Sequence, residues 1–118
     1  LARPDPTADP IWSEASEQRL KHAFALTKRV GPMLREAAAG GGALFATVSR
    51  MDGAFGLTGG AFDAVQGGLA GLTKTVAREW PAVRCTALDV SASWSDSDQV
   101  AAAIVRGTFS LFLPWAGV

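Results

Sequence analysis

The chain alternates between segments in which apolar residues recur at helical spacing and short, continuous apolar runs. The first helical segment follows a cap at Ser13 or Ser16 and stops at the glycines of AAAGGG, residues 37–42. Pro32 removes one backbone hydrogen bond, so we expect a kink near Lys28. The predicted apolar stripe of this helix consists of Leu20, Phe24, Thr27, Val30 and Leu34.

Two further segments have helical spacing. The second helix is predicted to end before Trp80-Pro81, because a residue that precedes proline avoids the helical conformation. The third is predicted to be capped by Ser95 or Ser97 and to end at Gly107. The apolar positions of the second helix are Phe62, Val65, Leu69, Leu72 and Val76, and those of the third are Val100, Ala101, Ile104 and Val105.

Three continuous apolar runs predict strands at residues 43–50, 83–90 and 109–114. Continuous runs are typical of parallel strands buried on both faces. The order helix, strand, helix, strand, helix, strand therefore predicts the α/β class, as a truncated Rossmann-like parallel sheet flanked by helices in three α/β/α layers. Residues 1–12 contain three of the six prolines and no period, which indicates an irregular lead-in.

We accordingly predict one domain over residues 1–118, with residues 13–114 forming the truncated Rossmann-like subdomain of a larger multidomain protein. Apolar residues make up 48% of the chain and charged residues 19%, as in a globular protein. Lys+Arg and Asp+Glu both number 11. No net positive charge attracts a phosphate backbone or an anionic membrane, so we expect no nucleic-acid and no membrane partner.

The cysteine and histidine content limits redox and metal chemistry. Cys85 is the single cysteine and lies in an apolar run, which predicts a buried, inert thiol and a reducing, cytoplasmic environment. His22 is the single histidine, so no ligand set for a metal is apparent and no metal site is expected.

Glycines suggest two possible sites. The loop MDGAFGLTGG, residues 51–60, follows a predicted strand, but its glycines lack the G-x-G-x-x-G spacing of a dinucleotide cradle. We therefore expect a tight connection there and no cofactor site. Gly67 and Gly71 lie four residues apart on the second helix, where glycine costs about 1 kcal/mol relative to alanine. Their presence predicts close approach of a neighbouring strand or a second subunit.

Acidic and aromatic residues offer further candidates. Glu79 and Asp89 could act as a general acid and base only if the fold brought them together, and Glu79 better fits an ion pair or rim position at a helix end. The tryptophans lie at element ends or in loops, which is typical of rings that cover an edge or contact an adjoining domain: Trp12, Trp80, Trp94 and Trp115.

The stretch QGGLAGLTKTVARE, residues 66–79, resembles the catalytic helix of short-chain dehydrogenase/reductases. That family uses a serine at a strand end and a tyrosine and lysine in a Y-x-x-x-K motif. The resemblance places Ser49 at the serine position, Phe62 at the tyrosine position and Gln66 at the lysine position. Phenylalanine cannot donate a proton, and the chain contains no tyrosine. We therefore regard these three positions as vestigial and expect no catalytic residue in this chain.

The series ATVSRMDGAFGL, LAGLTKTVAREWPAVRCTALDV and SDSDQVAAAIV resembles, more narrowly, the structural subdomain of ketoreductases in polyketide and polyunsaturated-fatty-acid synthases. The resemblance covers roughly residues 20–106 and is loose at both ends. It implies a non-catalytic half that packs against an NADPH-binding catalytic half, with an acyl carrier protein delivering the 3-oxoacyl substrate. No cofactor is then expected in this chain.

Two alternatives remain open. The chain could be a divergent reductase fragment that uses Ser49 together with residues from another chain. It could also be an α/β dimerisation module that self-associates through the Gly67 and Gly71 face.

Overall fold

The computed structural model describes residues 13–58 and 63–108, and the backbone of residues 115–117. Three helices alternate with three strands, and the three helices and the first two strands lie where the periodicity predicts them. The elements are α1 (Glu14–Ala39), β1 (Leu44–Ser49), α2 (Gly67–Glu79), β2 (Arg84–Asp89), α3 (Ser97–Thr108) and β3 (Trp115–Gly117), with a 3₁₀ turn at Ala64–Gln66 before α2. The predicted strand at 109–114 lies outside the described residues, and β3 begins immediately after it.

The strands form one parallel sheet in the order β1-β2-β3. β2 is the central strand, and residues Cys85 to Val90 are all buried, as predicted. β1 was predicted to be equally buried, but it is an edge strand in which only Ser49 is buried and Ala46 is exposed. Among the described residues, β2 is the one strand that pairs with β1.

Helices cover both faces of β2, which gives the expected three layers. Cys85 belongs to the cluster packed against α1 and α2, whereas Leu88 lies beside Gly107 of α3. Because side chains alternate along a strand, these two residues lie on opposite faces. The cluster of buried residues between the sheet and α1/α2 consists of Leu72, Val76, Val83 and Cys85.

α1 begins with Ser13 as its cap, whose hydroxyl accepts a hydrogen bond from the amide of Ser16 at 3.1 Å. The helix continues through Pro32 to Ala39 as one element. Its inward side differs from the predicted stripe at two positions. Val30 is only partly buried and lies beside the core-packing residues. Phe24 is 53% exposed. Ala23 packs against the core in its place. Small inward residues let α1 approach its neighbours closely.

Glycines mark two of these close approaches. A Cβ atom at Gly31 would lie 2.6 Å from Cη2 of Trp80, and one at Gly68 would lie 2.5 Å from Cδ2 of Leu20. The close approach predicted at Gly67 and Gly71 is wrong for this chain's own packing. A Cβ at Gly67 would make an ordinary contact at 3.9 Å, and one at Gly71 would meet no atom of the described residues within 4 Å. The glycine that α1 requires on α2 is Gly68.

The start of α3 also differs from the expectation. The cap is neither Ser95 nor Ser97 but Asp96 between them, whose carboxylate accepts from the amides of Asp98 at 2.9 Å and Gln99 at 3.3 Å. A carboxylate at this position also interacts favourably with the positive end of the helix dipole. Among the helices that the structure describes, none combines the length and apolar character needed to cross a bilayer.

Candidate functional site at the carboxyl end of the sheet

The carboxyl ends of β1 and β2 and the loop after β1 form the candidate site, because open α/β sheets bind ligands at this end. Ser49 and Asp89 are paired residues at the last position of the two strands. The loop of residues 50–58 leaves β1 directly above them. The site is therefore built by two strand ends and one loop.

Asp89 is fully buried and organises the loop. Its Oδ1 accepts hydrogen bonds from the Ser49 hydroxyl at 3.1 Å and the Met51 amide at 2.8 Å. Its Oδ2 accepts from the amides of Gly53 and Phe55, each at 2.9 Å. Four donors thus converge on one buried carboxylate, which compensates for the loss of hydration.

Asp52 performs the same role from inside the loop. It accepts from the amides of Ala54, Gly56 and Thr58, at 2.8 to 2.9 Å, and from the Thr58 hydroxyl at 2.6 Å. The Thr58 hydroxyl, together with these amides, holds the pKa of the Asp52 carboxyl well below its ordinary value of 3.8. Positive φ angles at Gly53 (81°), Phe55 (54°) and Gly56 (87°) turn the loop so that its amides face the two carboxylates.

The three positions from the family resemblance have different outcomes. Ser49 is buried, and its hydroxyl lies within hydrogen-bond distance of the Asp89 carboxylate and, at 3.2 Å, of the Leu88 carbonyl. The Gln66 side-chain oxygen accepts from the amide of Arg50 at 2.7 Å. Phe62 lies outside the described residues. Ser49 therefore binds the end of β2, and Gln66 binds the residue that follows β1.

Arg50 fastens the loop to the segment after β2. Its Nε donates to the carbonyl of Val90 at 3.1 Å, and its Nη2 donates to the carbonyls of Ser91 at 3.1 Å and Trp94 at 2.6 Å. Trp94 remains 39% exposed at this point. The guanidinium thus satisfies three backbone carbonyls at the end of the sheet where open α/β folds bind ligands.

A cleft of about 330 Å³ opens beside this network, between the start of α1 and the start of α2. Its wall is mixed, with apolar Leu20 and Leu69 next to polar Arg19 and Asp63. Asp63 is already engaged, since it accepts from the Val65 amide at 3.1 Å and from the Ser16 hydroxyl. Arg50 also lines the cleft, which therefore carries two cations and one carboxylate whose oxygens already accept hydrogen bonds.

The other candidate groups stand apart from this site. Glu79 is exposed at the carboxyl end of α2, which adjoins the amino end of β2, so the fold separates it from Asp89 by the length of the strand. His22 is exposed on α1. Cys85 is buried as predicted, and burial raises the pKa of its thiol. Within the described residues, no group of three or more His, Cys, Asp or Glu side chains is placed to hold a metal ion.

Sequence reasoning missed the groups that organise the site. Asp52 was treated only as part of a glycine loop, and Arg50 as the end of a strand. Asp89 was considered as an acid or base, whereas it is a buried acceptor for backbone amides. One signal was available: an aspartate in the apolar run ALDV needs buried donors, and a following glycine loop supplies them.

The loop amides also bear on nucleotide binding. Amides of six residues between 51 and 58 donate to Asp52 or Asp89. A pyrophosphate would need free amides and would be repelled by two carboxylates. These residues do not fit a dinucleotide cofactor. Comparison with protein families, with characterised proteins and with solved structures gives no match for this chain.

Proposed function

We propose that this chain is the non-catalytic structural half of a ketoreductase. In this role it supports an NADPH-dependent catalytic half that reduces a 3-oxoacyl group on an acyl carrier protein, within a polyketide or polyunsaturated-fatty-acid synthase. The single observation that carries the proposal is the buried Ser49 hydroxyl, which is bonded to Asp89. A serine that orients a substrate oxygen must present its hydroxyl to the substrate, and this hydroxyl is committed to the fold.

Gln66 supports the same conclusion. In a reductase of the resembled family, a lysine at this position lowers the pKa of a tyrosine and holds the ribose. Gln66 carries no charge, and its side-chain oxygen accepts the Arg50 amide at 2.7 Å. The position has therefore become part of the connection between β1 and α2.

The edge position of β1 is consistent with a two-half arrangement. A strand with no strand neighbour on one side presents unpaired backbone groups, which proteins cover or pair. An adjoining half that packs here would protect this edge. The hydrogen-bonded loop at residues 50–58 would then offer that half a preformed surface rather than a ligand site.

Titration of the 118-residue chain with NADPH tests the no-cofactor part of the proposal. We expect no saturable change in nucleotide fluorescence at micromolar concentrations, because the loop amides are occupied. A chain that carries both Phe62→Tyr and Gln66→Lys should bind NADPH no better, since it restores the dyad but not a phosphate cradle. Clear micromolar binding by the unmodified chain would contradict the proposal.

An α/β dimerisation module is the second candidate, and one observation favours it. Gly71 is exposed, and Phe55, Ala70 and Lys74 line an open cavity of about 620 Å³ beside it. A second subunit could occupy this space. Sedimentation of the isolated chain beside its Gly71→Leu variant tests this second candidate, because self-association through this cavity must weaken when a leucine fills the space next to the α2 backbone.

A further inference from the structure

The long helix α1 carries a second apolar stripe beside the one that packs in the core. The residues on the inward side of the helix that pack against the core are Ala23, Leu34 and Ala38. Beside them run four apolar residues at successive spacings of four, three and four: Leu26, Val30, Met33 and Ala37. This spacing is the a/d pattern of a seam between two helices.

The stripe is open to solvent in the described part of the chain. Leu26 is 60% exposed and Met33 is 70% exposed, which is unusual for large apolar side chains. Ala37 is also exposed, and Val30 is partly exposed. A helix that is apolar on two sides requires two partners, and α2 provides only one of them.

Charged residues along this stripe identify the second partner. Arg29 and Glu36 lie seven residues apart and flank the stripe at the same heptad position, g, on its solvent side. Both are exposed, and neither forms an ion pair within residues 13–58 and 63–108. In an antiparallel helix pair, g positions of the two helices face each other.

We propose that α1 pairs with α1 of a second copy of this chain, in antiparallel orientation about a two-fold axis near Gly31 and Pro32. The layers then place Leu26 against Ala37 of the second copy, and Val30 against Met33. In that register Arg29 faces Glu36 of the second copy, and Glu36 faces its Arg29. The ion pair therefore forms twice, as a self-complementary two-fold interface requires.

A parallel pairing does not use these charges. It would set the g position of one helix against the e position of the other, so Arg29 would face Leu34, which packs in the core of its own subunit. The charge pattern thus selects the antiparallel arrangement. This inference stands independently of the proposed function, because it rests on α1 alone and requires no cofactor.

The interface is small. Residues 26 to 37 extend over about 18 Å of helix, at roughly 1.5 Å per residue. A contact of this length falls at the low end of specific interfaces, so we expect a reversible dimer with a dissociation constant that is micromolar or weaker. Exposed ion pairs contribute modestly, and the two-fold symmetry doubles the effect of each charge change.

Sedimentation equilibrium of the 118-residue chain over a range of concentrations tests the proposal. We expect a monomer-dimer equilibrium for the unmodified chain. Arg29→Glu and Glu36→Arg should each weaken the dimer by on the order of tenfold, because each creates two like-charge contacts. The double variant Arg29→Glu/Glu36→Arg restores opposite charges at both contacts and should return the dissociation constant to near its original value.

Two controls accompany these variants. Lys28→Glu makes the same change in net charge as Arg29→Glu at an exposed position away from the stripe, and should leave the equilibrium unchanged. Leu26→Ser/Met33→Ser should give a monomer while far-UV circular dichroism retains the helical signal. A chain that is monomeric at every concentration would overturn the proposal. A double variant no better than the singles would do the same, as would a dimer abolished by Gly71→Leu but insensitive to Arg29→Glu.

Discussion

Replacement of Asp89 by asparagine is the most direct probe of the carboxyl-end network. The carboxylate accepts four hydrogen bonds, two on each oxygen. Asparagine keeps one acceptor oxygen and turns an amide NH₂ group toward the remaining two donors. In the Asp89→Asn chain, the partly buried amides of Gly53 and Phe55 therefore face another donor beside a fully buried side chain.

The expected cost follows from these lost bonds. A hydrogen bond to a charged group contributes about 1.5 to 3 kcal/mol, so the loss of two lowers the free energy of unfolding by about 3 to 6 kcal/mol. The lower end is expected, because asparagine also removes a buried charge. A small domain is stable by only about 5 to 15 kcal/mol, so much of the folded-state stability depends on this single side chain.

Urea denaturation followed by the fluorescence of the four tryptophans measures the change. Amide hydrogen exchange gives a second readout, since the amides of Gly53 and Phe55 should lose protection in the Asp89→Asn chain. The matched control is Asp96→Asn, at an exposed helix cap where asparagine serves as well as aspartate. If Asp89→Asn costs less than about 1 kcal/mol and both amides stay protected, the role assigned to Asp89 is wrong.

Three further outcomes are expected. Gly107→Ala should destabilise the chain by about 1 to 3 kcal/mol, because the added Cβ would overlap the fully buried Leu88. Gly71→Ala places its Cβ in open space and should stabilise the helix by up to about 1 kcal/mol. Thermal unfolding of the two variants tests this difference, and equal effects would contradict it. The pKa of Asp52 is lowered, so its carboxylate stabilises the folded state at pH values above 3.8, its ordinary pKa, and this contribution is lost as the pH falls toward the folded-state pKa. The melting temperature of the Asp52→Asn chain should therefore lie below that of the unmodified chain at neutral pH and converge with it in acid. A difference that stays constant with pH would refute the assignment. Cys85, whose pKa burial raises, should react with a thiol reagent only after urea unfolds the chain, and rapid reaction under native conditions would contradict its burial.

Local pattern was sufficient for the three helices, the first two strands and the fold class. The stripe Val65, Leu72 and Val76 predicts a helix here, because a helix presents the same face at every third or fourth residue. All three residues are buried, Val65 in the 3₁₀ turn and the other two in α2. The continuous apolar run of β2 predicts a central parallel strand for a similar reason. Ser13 was recognised as one of two possible caps, since capping depends on a short stretch of chain.

The local sequence pattern could not predict the contacts of the candidate site. Asp89 lies more than 30 residues from the loop whose amides it accepts, and the sequence does not say which distant donors a buried carboxylate will meet. α1 approaches α2 closely at Gly68 and not at Gly71, because the crossing point of two helices depends on their relative position. Phe24, an apolar residue at the expected spacing, is exposed for the same reason.

By itself, therefore, the sequence determined the three helices, the first two strands, the parallel α/β class and the absence of a tyrosine hydroxyl from the chain. These properties depend on residue type and on neighbours a few positions away. Only the tertiary structure decided that β1 is an edge strand, that Ser49 donates to Asp89, and that the glycine loop is held by the chain's own carboxylates. Those properties arise from contacts between residues far apart in the chain, which form only when the sheet brings its strand ends together.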